Sequence, residues 1–372
     1  MSKKQCCTAK KTSIGGQALI EGIMMRGPKM SAMAVRNPEG EIVLEKWETK
    51  SSTKSKFFKL PVIRGVFNFI DSMASGYKCL MRSAEISGLD ELEEQARLEK
   101  EAKKAARAKK KGKAVAGDIP AESKEESDAP AEEQTQSVGE DKKKKESSAL
   151  VTGIMIVAMV LAVVLSVTLF IALPAFVYTW VSNLLPILKP DNSALTSLIK
   201  SVFEGVLRIM IIVGYMALVS LMKDIRRTFQ YHGAEHKTIF CYEHGKELTV
   251  DNVRGERRFH PRCGTSFLVL MMLVGIFISF LIDPISILIS GAVPPTWIRT
   301  IIKLLLLPIT MGIGYELIKF AGRHDNLLTR IISAPGMWLQ HITVFEPSDD
   351  MIECAITAFK EVIPEEEKTL EA

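Results

Sequence analysis

His232, Glu235 and His236 stand in the order H-x-x-E-H within Phe229-Gln-Tyr-His232-Gly-Ala-Glu235-His236-Lys-Thr. Residues four apart on a helix share a face one turn from each other, so both imidazoles can grip a single cation. The same order occurs in the inverted zinc peptidases, where the glutamate activates a water. Further along, His260-Pro-Arg-Cys263-Gly264 forms a compact turn that offers one more imidazole and a thiolate.

These residues support three chemistries. In a catalytic reading, His232 and His236 bind zinc or another divalent metal, Glu235 is the general base, and a third ligand comes from elsewhere. Glu316 is the natural carboxylate, because it follows His236 at a separation similar to that of the third ligand in the inverted peptidases. An ionisable residue inside an apolar span is a functional candidate, although Lys319 one turn on also suits a pair of interfacial charges. In a structural reading, His260 and Cys263 act as a zinc-ribbon-like knuckle and join His232 and His236 in a closed His₃Cys site. In a third reading no metal binds, the histidines bond loop carbonyls or lipid headgroups, and Cys263 is a small buried residue. Gly233 inside the motif weakens the helix by about 1 kcal/mol relative to alanine. His244 is a spare ligand two turns past His236, whereas His324 and His341 are assigned ordinary structural roles.

The elements that position these groups follow from the clustering of apolar residues. Four runs, residues 150–181, 202–222, 266–289 and 298–320, are long enough to cross a bilayer, which takes about 20 apolar residues each. The segment 223–262 carries nine Lys/Arg, whereas the 182–201 connection holds only Lys189 and Lys200. That asymmetry places the His/Cys loop and both termini in the cytoplasm. The net charge of +5 reports this bias and gives no reason to expect nucleic-acid binding. Six cysteines fall in regions assigned to the cytoplasm, so they are free thiols or metal ligands. Glu204 and Arg208, four apart in the outer part of the second span, are expected to pair.

Asn37-Pro38-Glu39-Gly40 between two apolar stretches predicts a β-hairpin. The preceding residues 15–28 are rich in Gly and Pro and are expected to be irregular and closely packed. Gln17, Glu21 and Arg26 could line a cleft shared with the loop. Residues 60–83 are amphipathic, suited to a membrane surface or to an ordinary packed helix. From 91 to 148 there are 14 Lys/Arg against 15 Asp/Glu and no aromatic residue, which cannot support a core. Residues around Trp338 read as an interfacial segment, and Asp349 to Val362 as a closing amphipathic helix. No P-loop, dinucleotide fingerprint or nucleophile elbow is present.

The expected architecture is a mainly α-helical integral membrane protein with four transmembrane helices and a small N-terminal α+β cytoplasmic unit. Its parts are a flexible N-terminus (1–12), the α+β unit (13–88), a charged linker (89–148), the membrane domain with its His/Cys loop at 223–265 (149–345), and a C-terminal helix and tail (346–372).

GGQALIEGIMMRGP, YHGAEHKTI and HPRCGTSF together resemble the YqhQ-like family of bacterial membrane proteins of unknown function. The resemblance covers the N-terminal unit and nearly all of the membrane region. It implies a bacterial plasma-membrane location and a predicted metal-dependent enzyme, with no established reaction. Two functions are carried forward. One is a metal-dependent hydrolase acting on peptide or lipid-linked substrates at the inner face. The other is a non-catalytic adaptor for translocation, insertion or quality-control complexes, with a structural metal or none. The lipid bilayer is the expected surroundings, other membrane proteins are partners in the second reading, and the oligomeric state is left open.

Overall fold

A computed structural model describes residues 12–49, 60–88, 157–188, 193–324 and 326–364. The expected linker and most of the expected flexible N-terminus lie outside the described residues. By its internal contacts the chain divides into Glu91–Leu173, of which only the opening of one helix is described, and the remainder.

The hairpin around Asn37 is present. Strands β3 (Met30–Arg36) and β4 (Ile42–Glu48) pair antiparallel with Arg36 opposite Ile42. The Asn37 side chain accepts from the Glu41 amide at 2.7 Å, closing the turn. The glycine-rich stretch before it departs from expectation: it forms a second hairpin, β1 (Gly15–Leu19) and β2 (Gly22–Arg26), with Leu19 opposite Gly22. Glu21, the second central residue of this turn, takes a left-handed conformation at φ 50°. The four strands lie in sequence order β1-β2-β3-β4.

Side chains alternate across a strand, so the sheet presents two apolar faces. Leu19, Met24, Met33 and Val35 pack with Cys79 of α1 (Ile63–Ile86). Ile23, Met25, Ala32 and Ala34 join Tyr231 and Ala234 of α4 (Lys223–Glu243) and Ile352 and Phe359 of α9 (Asp349–Val362). The closing helix therefore lies where the sequence puts it, with its apolar stripe completing the core of the amino-terminal sheet.

Among the described residues, four helices are long and apolar enough to cross a membrane: Val157–Leu184, Leu195–Val219, Gly264–Ser290 and Trp297–Ala321. The first is α2, which widens into a π-turn at Thr168–Ala172. The others belong to α3 (Ser193–Val219), α6 (Gly264–Ser290) and α7 (Thr296–Arg323), with the short α5 (Val250–Arg254) lying before α6 in the chain. Their exposed apolar side chains suit a lipid surrounding. The second span begins earlier than hydropathy alone suggests, because its polar residues are turned inward: Ser197, Ser201 and Glu204 are all buried. Glu204 meets Arg208 as expected, at 3.2 Å, and also Lys303 of α7 at 2.8 Å. Asp283 accepts from Arg299 at 2.5 Å and from Ser197.

Helix α1 runs from the sheet to α7. Arg64 grips Glu316 with two hydrogen bonds of 2.7 and 2.5 Å, and Asn68 donates to the Tyr315 hydroxyl at 2.9 Å. The segment around Trp338 is a full helix, α8 (Leu327–Thr343), started by a capping box of Asn326 and Thr329. It packs on α6, where Gly336 meets Ser266.

Candidate metal centre

Helix α4 carries the H-x-x-E-H motif on a buried face; Asp224 in its first turn suits the positive end of the helix dipole. Gly233 has a packing reason. The chain leaving α8 crosses α4 here, with the Phe345 amide donating to the Phe229 carbonyl at 3.0 Å. A Cβ on Gly233 would collide with the Phe345 carbonyl oxygen.

Both motif histidines are held in one tautomer by main-chain carbonyls. His232 Nδ1–H donates to the Thr343 carbonyl at 3.0 Å, and His236 Nδ1–H donates to the Arg258 carbonyl at 2.6 Å. A carbonyl only accepts, so the Nε2 lone pairs are left to point elsewhere. His232 Nε2 lies 3.1 Å from Cys263 Sγ, and His236 Nε2 is buried with no hydrogen-bond partner. The ligand atoms of His232, His236 and Cys263 all lie within 4.8 Å of one another. Carbonyl-oriented imidazoles of this kind are the usual support of a metal site.

Cys263 is the N-cap of α6: its sulfur accepts from the Thr265 amide at 3.5 Å and lies 3.2 Å from the Thr265 hydroxyl. Burial alone would raise the thiol, but His236, the Thr265 hydroxyl and the Thr265 amide outweigh it and lower its pKa. Burial pushes His236 down, toward the neutral form that binds metal. Glu235 is pushed up to about 7, chiefly by burial and also by the Cys263 charge, against the opposing pull of His232 and the Gly16 amide.

A cavity of ≈ 860 Å³ opens onto this group. One wall is α4, with Phe229, His232, Glu235 and His236; a second is residues 12–18, including β1; a third is Tyr315, Ile318 and Lys319 at the end of α7. Gly16 faces Glu235 so closely that a Cβ there would lie 2.9 Å from the carboxyl carbon. Only glycine leaves room for the acid beside the strand.

His260 lines the same cavity but is not one of the three converging ligands. Its Nε2 lies 3.9 Å from Glu243, whose carboxylate also takes Arg262 and the Thr12 amide. Burial would raise Glu243, yet His260, Arg262 and the Thr12 amide hold it at about 2. Glu316 is clamped by Arg64 and stands outside the ligand group. Gln17 lines the large cavity and a neighbouring one of ≈ 370 Å³; Arg26 lines only the smaller, where it pairs with Asp71 at 2.9 Å. Glu21 lines neither and instead makes two 2.5 Å bonds to Arg227, tying the first hairpin to α4.

Four contributors escape sequence reasoning. Gln340 of α8 is fully buried and bonds both the amide and the carbonyl of His260 at 2.8 Å, which fixes the knuckle. The Arg258 and Thr343 carbonyls orient the ligands without any side-chain signature. Thr265 did have a signal, since a cysteine followed by Gly-Thr-Ser before an apolar run is a helix N-terminus.

A family model described as "Protein of unknown function (DUF1385)" matches residues 60–365. Over 352 residues the chain is 30% identical to "Uncharacterized protein YqhQ" of Bacillus subtilis (strain 168), covering 94% of this chain and 92% of that protein. No solved structure matches the chain.

Proposed function

The chain belongs to the DUF1385 family of proteins of unknown function, and we propose that it is a membrane-embedded hydrolase dependent on a divalent metal held by His232, His236 and Cys263. The observation that carries this reading is the convergence of two Nε2 lone pairs and a sulfur, with His236 Nε2 buried and otherwise without a partner. Two imidazoles and a thiolate would suit zinc, and a set of three protein ligands that lines a cavity is the pattern of catalytic rather than structural sites. Bound there, zinc would polarise a substrate carbonyl and acidify a water. Glu235 takes the proton from the water as its oxygen bonds the carbonyl carbon. It then delivers that proton to the leaving nitrogen or oxygen as the old bond breaks.

The substrates are peptide or lipid-linked, reached at the end of the spans, and the Lys/Arg bias argues for the cytoplasmic face of a bacterial plasma membrane. A non-catalytic adaptor with a structural metal is the competing reading. It is favoured by the exposed apolar residues Phe67, Ile70, Met73 and Tyr77 on α1, a face suited to lipid or another membrane protein.

Elemental analysis of protein purified without chelators tests the site. Near-stoichiometric zinc is expected in the wild type, in Glu235→Gln and in Glu316→Gln, and its loss in His236→Ala and Cys263→Ala. In a strain lacking the gene, metal-loaded Glu235→Gln is expected not to restore function, since a general base is worth about 10²–10⁴ in rate. Full restoration by that variant would favour the adaptor. A wild type free of metal would sink both metal readings.

A further inference from the structure

We infer that the free edge of β1 docks an extended peptide main chain and lays it across Glu235 and the His232–His236–Cys263 group. This rests on the metal reading and names its substrate as peptide. Strand β1 ends the sheet, so among the described residues one of its edges is not paired with another strand. Leu19 opposite Gly22 across a two-residue turn makes positions 19, 17 and 15 the hydrogen-bonded ones. Gly16 and Ala18 therefore aim their N–H and C=O groups away from β2. Two observations agree with that phase: the Gly16 amide does bond Glu235, and the Arg36 amide bonds the Glu21 carbonyl on the opposite edge of the β2 hairpin.

No hydrogen bond reaches the outward groups of Ala18 among the described residues, and buried or half-buried main-chain groups ordinarily find partners. Natural sheets blunt such edges with lysine, proline or bulges. The sequence Gly-Gly-Gln-Ala-Leu of β1 has no charge and no proline. The edge instead lines the ≈ 860 Å³ cavity, facing the ligand group. Ala18 is two residues from Gly16, about 6.8 Å along the strand. A chain pairing at Ala18 thus runs directly past the carboxylate held by Gly16. Phe229, Ile239, Tyr315 and Ile318 on the same cavity would receive apolar side chains. A lipid-linked headgroup has no repeating amides to match this edge; an extended apolar peptide has.

The test uses the full zinc-loaded chain in detergent and two probes, acetohydroxamate and acetyl-trileucyl hydroxamate, with binding followed by calorimetry. Both reach the metal, but only the second can pair with β1. The peptide probe is expected to bind roughly tenfold or more tighter. Ala18→Pro removes an outward amide at a position without a ladder bond, and should erase that advantage while zinc content stays at the wild-type level. N-methylating the probe at one residue should abolish the gain, and at the next residue should spare it, with the protein left unaltered. A peptide probe no tighter than acetohydroxamate, or an advantage that survives both changes, overturns the docking inference alone. Binding of neither hydroxamate overturns the metal reading and this inference with it.

Discussion

At Cys263 the His236 imidazole and the Thr265 hydroxyl and amide oppose burial, whereas at Cys241 and Cys354 burial goes largely unopposed. Those two thiols are pushed up to about 11 and about 12, while Cys263 is lowered. Each unit by which a thiol pKa exceeds the ambient pH cuts its thiolate about tenfold. In a Cys6→Ser, Cys7→Ser background, maleimide near neutral pH is therefore expected to modify Cys263 first, and Cys241 and Cys354 only after unfolding or at strongly alkaline pH. Added zinc should protect Cys263. Peptide mapping that finds Cys263 as slow as Cys354, or indifferent to zinc, would count against the ligand assignment. The H-x-x-E-H spacing and the following cysteine were legible in the sequence because ligand type and helical period are local properties. The place of His260 was not, since its choice between the metal group and Glu243 depends on Gln340 and Arg262, distant in sequence. Glu316 sits at a plausible distance along the chain, but Arg64 from α1 reaches it in space.

Among the elements, α4 sets two effects against each other at Gly233. Helix propensity alone makes Gly233→Ala stabilising by about 1 kcal/mol. The Phe345 carbonyl lies where the new methyl would go, and overpacking of a close contact costs about 1–3 kcal/mol. The collision is with backbone that is itself bonded to Phe229, so it cannot swing aside, and a net loss of stability is expected. Thermal melting in detergent decides the sign, and a raised midpoint would show that the 344–347 segment yields. The same glycine counted against the helix when read alone, because a crossing chain more than a hundred residues away leaves no trace at position 233. The second hairpin was hidden for a similar reason. Gly15, Gly16 and Gly22 read as breakers, yet Gly16 admits Glu235 and Gly22 admits Val35. The Asn37 turn was legible because its side chain closes the loop by itself.

For the whole molecule, hydropathy located the four spans, while the inward-facing charges of α3, α6 and α7 blurred where the second begins. Glu204 bonds Lys303 and Arg208 in a buried setting, so Glu204→Gln removes the carboxylate that Lys303 meets at 2.8 Å and is expected to cost about 3–5 kcal/mol. A melting midpoint in detergent within error of the wild type would show that these charges reach water. That cluster lies at the ends of the spans opposite to those bearing the metal centre. The sheet has another kind of consequence. Its core face is closed by α9, and the Cys354 thiol donates to the Ala34 carbonyl across 320 residues of chain. At about 5–20 residues per second, a ribosome makes the closing helix some 15–60 s after the strands. Throughout that interval Ile23, Met25, Ala32 and Ala34 lack α9, and until residue 243 is made they lack α4 as well. A nascent chain halted before Asp349 is accordingly expected to be a target for holding chaperones and proteases.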